Sequence, residues 1–98
     1  MALTPKQTRH LRALAHPLKP LVQIGDKGLT EAVVAAVDEQ LEHHELIKVK
    51  MAGSERDDFQ SAVTELAEAT ASDVAQVIGR TVVLYRRRKK KPAIQLPA

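Results

Sequence analysis

Lys27 stands between Gly25 and Gly28, at the point where the apolar run Leu21–Ile24 gives way to a segment opening with Thr30 and Glu31. Two glycines at that spacing leave backbone N–H groups open to a bulky polyanion. The lysine adds a charge at the tip, and the first N–H groups of the following helix point the same way. The chemistry such a junction supports is phosphate neutralisation and hydrogen bonding. Asp26 partly offsets Lys27, which shifts weight from charge to backbone donors.

Groups that make and break bonds are poorly arranged. His10 and His16 are six apart and do not share a helix face as an i, i+4 pair would; His43 and His44 are neighbours that point in different directions. Helix-end histidines favoured by the helix dipole account for them better than a metal site. There is no cysteine, hence no disulfide framework and no zinc ribbon. Neither Gly-x-x-x-x-Gly-Lys-Ser/Thr nor Gly-x-Gly-x-x-Gly occurs, so the nucleotide-binding fingerprints are missing. The carboxylates fall on exposed helix positions. No catalytic set, metal, cofactor or small-molecule substrate is expected.

Charge is sharply segregated along the 98 residues, although the net value is only +3. Residues 1–25 contain Lys6, Arg9, Arg12 and Lys19 and no acid; residues 86–98 contain Arg86, Arg87, Arg88, Lys89, Lys90 and Lys91 and no acid. The stretch between them holds all twelve acids. Such ends repel one another unless an anion neutralises them. The basic C-terminal run could instead be a solvated tail, but it follows an expected strand without a Gly/Ser linker, which favours a fixed patch.

The elements that must position these groups are readable locally. Thr4 is placed to cap a first helix, with Pro5 at its first position and Gln7 as capping-box partner. Leu11, Leu14, Ala15 and Leu18 form its apolar stripe, and Pro17, by forcing His16 out of the helical region, ends it. A strand at Leu21–Ile24 follows, then a helix capped by Thr30 with Val33, Val34, Val37 and Leu41 inward and Glu31, Asp38, Glu42 and Glu45 on an acidic stripe. Ile47, Val49 and Met51 alternate with Lys48 and Lys50, a strand with one wet, positive face. Ser54 and Asp57 resemble a capping box for a third helix carrying Phe59, Ala62, Val63 and Leu66. Val74–Ile78 and Thr81–Arg86 flank Gly79-Arg80, the signature of a type II′ hairpin.

The order is αβαβαββ. Right-handed crossovers make parallel neighbours and the hairpin adds an antiparallel strand, so a two-layer α/β sandwich with a four-stranded mixed sheet is expected, or three layers if the first helix covers the other sheet face. One domain over 1–88 and a basic, mobile tail over 89–98 follow. No stretch of 18 apolar residues occurs and the N-terminus lacks a secretory pattern, so a cytoplasmic protein without a membrane span is expected.

A polyanion partner means nucleic acid, and aromatic poverty selects the mode. Sheet modules that stack bases need aromatic side chains, whereas Phe59 and Tyr85 are the whole aromatic complement, and Tyr85 reads better as a strand residue than as a platform. Recognition then rests on phosphates and shape, which suits folded RNA.

Three stretches, Leu14 to Thr30, Leu41 to Lys50 and Gln76 to Arg86, closely resemble the bacterial YhbY family, the single-domain form of the CRM (chloroplast RNA splicing and ribosome maturation) domain. The resemblance implies a fold similar to the C-terminal domain of translation initiation factor three and RNA binding through the glycine loop. It also implies ribosomal RNA and the precursor of the large ribosomal subunit as partners. Asp26 departs from the basic or neutral polar residues usual in that loop. The expected RNA-binding residues are Lys6, Arg9, Arg12, Lys19, Gly25, Asp26, Lys27, Gly28, Arg86, Arg87 and Arg88. The alternative is a protein-interaction adapter that binds ribosomal proteins or a translation factor through the acidic stripe; general DNA binding is a weaker third.

Overall fold

The computed structural model describes residues 3–25, 28–51 and 56–97. Asp26, Lys27 and the expected cap Ser54 lie outside these. Helix α1 spans Pro5–Ala15, and its start is the expected one: Thr4 Oγ1 accepts from Gln7 N–H at 3.1 Å while Gln7 Oε1 accepts from Thr4 N–H at 3.1 Å. Its end differs in mechanism. His16 keeps helical dihedrals, φ −49° and ψ −47°. The helix stops because Pro17 has no N–H to continue the ladder, and Leu18 N–H turns back to the Ala15 carbonyl at 2.9 Å.

Strand β1 (Val22–Ile24), helix α2 (Glu31–His44), strand β2 (Leu46–Met51) and helix α3 (Arg56–Ala69) follow, and the chain closes with β3 (Asp73–Ile78) and β4 (Thr81–Tyr85). Thr30 caps α2, its Oγ1 accepting from Val33 N–H at 3.2 Å. Gly79 has φ +57° and Arg80 does not share the positive φ, the pattern of a type II′ turn. The sheet order is β1-β2-β4-β3, with β1 parallel to β2 and β4 antiparallel to both its neighbours. The second crossover therefore does not place β3 beside β2, as a simple βαβ step would. The hairpin inserts β4 between them, which puts the most apolar strand, with Val82, Val83, Leu84 and Tyr85 all buried, at the centre.

The expected two-layer sandwich is corrected to three layers, because α1 lies on the second sheet face with a core of its own. Along β4, Val82 and Leu84 join a core with Ile47, Val49, Val37, Leu41 and Leu66, whereas Val83 and Tyr85 join a second core with Leu11, Ala15, Leu46 and Ala75. Strand alternation sends these two sets to opposite faces, so α2 and α3 cover one face and α1 the other. Ala75 reaches the α1 core through a bulge between Val74 and Gln76 that periodicity did not disclose.

Beyond Arg88, where a mobile tail was expected, the chain returns over α1. Ile94 and Leu96 pack on the α1 core and Gln7 Nε2 donates to the Pro97 carbonyl at 3.2 Å.

Candidate nucleic-acid interface

Gly25 and Gly28 are joined just past the C-terminal end of β1: Gly28 N–H donates to the Gly25 carbonyl at 3.0 Å, and Thr30 N–H donates to the Gly28 carbonyl at 3.2 Å. Gly28 has φ +71°, a conformation that favours glycine, whereas Gly25 has no positive φ. A Cβ added at either would meet no heavy atom within 4 Å. The turn leads directly into the N-terminus of α2, whose first N–H groups lie close by in the chain.

On the α1 side of the sheet the structure gathers cations that the sequence left scattered. Arg12 lies over β3, where the Gln76 amide oxygen, turned toward it, accepts from Nε at 3.2 Å and Nη2 at 3.3 Å. Lys48 Nζ donates to the His16 carbonyl at 3.3 Å, capping the C-terminal end of α1. Lys50, two residues on and on the same face, is exposed. Lys6 and Arg9 are exposed on α1 itself, and Lys19 is exposed in the connection to β1. Lys48 and Lys50 were absent from the expected contact residues. Their signal was present in the alternation with Ile47, Val49 and Met51.

The C-terminal arginines part company. Following the β4 alternation, Arg86 points toward α2, where Nη1 donates to Asp38 Oδ1 and, at 2.8 Å, to the Thr70 carbonyl, and Nη2 reaches Glu42 Oε1 at 3.2 Å and the Asp38 carbonyl at 3.0 Å. Its side chain is only 17% exposed. Arg88 donates to the carbonyls of His43 at 3.1 Å and Lys91 at 2.7 Å. Both guanidinium groups are thus held by the fold rather than displayed. Arg87 is exposed and borders a cleft with Gln7 of α1 and Tyr85.

Glu45 also leaves its expected place. The acidic stripe extrapolates helical spacing one residue too far: α2 ends at His44, and Glu45, with φ +62°, turns inward and is fully buried. Its carboxylate accepts the backbone N–H groups of Arg88 at 3.0 Å, Ala93 and Ile94 at 2.9 Å. Burial works against its ionisation, but these bonds and the Arg88 charge outweigh burial and hold the carboxyl below its usual range.

The first helix and the last described residues therefore meet, through Gln7 and Pro97, at one end of the sheet, near Leu46 and Tyr85. The glycine turn lies at the other end, beside Ile24 and Met51. The length of β2, about 17 Å at ~3.3 Å per residue, separates them. Lys48 and Lys50 occupy the interval on the α1 face. Tyr85 is 1% exposed and offers no stacking surface; burial first, then the Glu45 charge, raises its hydroxyl pKa, and Arg87 opposes this. Among the described residues no group of three or more His, Asp or Glu could hold a metal, and no helix is long and apolar enough to cross a membrane.

Comparison with known proteins places this arrangement. An RNA-binding protein of Haemophilus influenzae is 44% identical over 95 residues, covering 97% of this chain and 95% of its own. A Bacillus subtilis relative named as a probable RNA-binding protein is 38% identical over 95 residues, covering 97% of this chain and 99% of its own. The solution structure of a hypothetical protein from Staphylococcus aureus superposes with a TM-score of 0.84 at 44% identity, covering 98% of this chain and all of that one. Residues 3–86 match the CRS1 / YhbY (CRM) domain, and the chain belongs to that family.

Proposed function

We propose that this protein is a non-catalytic, cytoplasmic RNA-binding module that docks on structured ribosomal RNA during assembly of the large ribosomal subunit. The observation that carries RNA binding is the division of charge by sheet face. Arg12, Lys48 and Lys50 share the α1 side with Lys6 and Arg9, while Glu31, Asp38, Glu39, Glu42, Glu65 and Glu68 belong to the helices on the other side. A surface of that kind attracts a phosphate backbone to one face and repels it from the other. The names of the relatives support the same reading. The ribosomal assignment follows from the resemblance of the stretches 14–30, 41–50 and 76–86 and is the finer part of the proposal.

The residues proposed to touch RNA are Lys6, Arg9, Arg12, Lys19, Arg87 and the Gly25–Gly28 turn with Lys27, joined by Lys48 and Lys50. Arg86 and Arg88 are left to the fold. The adapter alternative loses ground because Asp38 and Glu42, two members of its acidic stripe, already hold Arg86 and a third, Glu45, is buried.

Neutralising about six phosphates makes affinity fall by orders of magnitude between about 50 and 200 mM salt. A salt titration against a folded ribosomal RNA fragment tests this, and a flat response refutes it. Lys27→Glu with Arg87→Glu should abolish binding and keep the fold. Glu31→Lys with Glu39→Lys, which spare the Arg86 clamp, should not weaken RNA binding. Sequencing RNA crosslinked to the protein in cells should return large-subunit over small-subunit ribosomal RNA.

A further inference from the structure

Past the end of α1, one transverse row of the sheet lies open. The strand register sets Gln23 beside Lys50, Lys50 beside Thr81 and Thr81 beside Ile78, one residue from each of the four strands. All four belong to the α1 face, because their neighbours Val22, Ile24, Val49, Met51 and Val82 pack on the opposite core. The helix stops one row short, where Lys48 reaches His16. Gln23, Lys50 and Ile78 are exposed and Thr81 is half-buried. Among the described residues, the side chains of Gln23, Lys50 and Thr81 make no hydrogen bond or ion pair. The row ends beside Gly25, the first residue of the glycine turn.

We propose that the row Gln23–Lys50–Thr81 reads the sugar–phosphate backbone of RNA, Lys50 holding a phosphate while Thr81 and Gln23 hydrogen-bond ribose 2′-hydroxyls. This rests on the RNA-binding reading above and names which chemical feature of the ligand that surface selects. Adjacent strands are ~4.8 Å apart, so a neutral donor–acceptor lies on each side of the cation, in reach of the riboses that flank the phosphate it holds. The 2′-hydroxyl both donates and accepts, and so do a threonine hydroxyl and a glutamine amide. Ile78 supplies an apolar edge for a sugar ring. The occupant follows from charge: Lys50 lies in the row, Lys48 lies in the adjoining row with Val83 and Gln76, Arg12 sits over Gln76, and no acid occurs in either row.

The test measures binding of one stem-loop RNA, its all-deoxy counterpart and its 2′-O-methyl counterpart across a salt series. The full chain should prefer RNA over DNA by roughly tenfold or more and lose most of that preference on 2′-O-methylation. Thr81→Val with Gln23→Leu should collapse the preference without changing the salt slope, and Thr81→Ser should retain it. Lys50→Gln should weaken RNA and DNA alike and lower the salt slope by about one. Equal binding of RNA and DNA by the full chain overturns this inference while leaving polyanion binding intact. So does a preference that survives in the double variant. Failure to bind any of the three overturns the functional reading itself. Should the double variant not fold, Gln23→Leu alone, at an exposed position, should still lower the preference, and an unchanged preference there overturns the inference.

Discussion

Glu45 and Ile94 are joined across 49 positions of sequence: Glu45 Oε1 accepts the Ile94 N–H at 2.9 Å, and the same carboxylate holds Ala93 and Arg88. A single buried acid thereby fixes the course of the chain after β4. Its folded-state pKa lies below the ordinary value near 4.5, so the stability it confers is present above that value and is lost as pH falls through the lower folded one. Melting followed from neutral pH into the acid range should show this loss in the wild type and not in Glu45→Ala. The substitution itself should cost on the order of 2–3 kcal/mol at neutral pH, because three N–H groups lose a charged acceptor. Hydrogen exchange at Ala93 and Ile94 should accelerate in the variant before exchange in β4 does.

The segment held by Glu45 is expected to belong to the folded unit. Ile94 and Leu96 pack against the core of Leu11, Ala15, Leu46, Val83 and Tyr85, which is smaller than the core beneath α2 and α3. Ile94→Ser should cost about 1–2 kcal/mol from lost apolar burial. A chain ended after Lys91, which keeps every basic residue of the run, should melt lower still. Equal melting temperatures for the shortened and full chains would return these residues to the status of a tail.

Arg86 should behave as a stability residue. It ties β4 to Asp38 and Glu42 of α2 and to the Thr70 carbonyl after α3 with a mostly buried side chain. Arg86→Gln is expected to cost about 1–3 kcal/mol, and a double-mutant cycle with Asp38→Asn should show the two coupled. RNA affinity of the folded fraction, measured well below the melting temperature, should stay within about twofold. A fall in affinity and salt slope matching that of Arg87→Gln would instead put Arg86 on the RNA.

The division between what sequence disclosed and what it concealed follows the range of the interactions. The Thr4–Gln7 capping box, the Thr30 cap and the Gly79 turn depend on residues within four of one another, and each was legible. Which face α1 covers was not, because Leu11 and Ala15 define a stripe without naming its partner. Glu45 was misplaced because a helical wheel has no meaning past the last helical residue, and only the backbone at φ +62° reveals the inward turn. The side of Arg86 was recoverable. Extending the alternation of Val82 and Leu84 by one step sets it on the α2 face, but an unbroken run of six cations obscured that periodicity. Lys48 and Lys50 were read correctly as a wet face, and that they share it with Arg12 emerged only when α1 was found on that side of the sheet.

The two glycines of the turn separate conformation from access. Gly28, at φ +71°, should resist substitution in the free protein: Gly28→Ala is expected to lower stability by about 1–2 kcal/mol, the cost of a left-handed residue with a side chain. Gly25 carries no such constraint, and a Cβ there meets nothing within 4 Å, so Gly25→Ala should leave the melting temperature nearly unchanged. If Gly25 is glycine so that a phosphate backbone can approach the chain closely, the methyl group must be felt only in the complex. Gly25→Ala should therefore weaken RNA binding several-fold with the salt slope preserved, since no charge is removed. Unchanged affinity in Gly25→Ala would move the close contact away from β1 and leave the turn a purely conformational device.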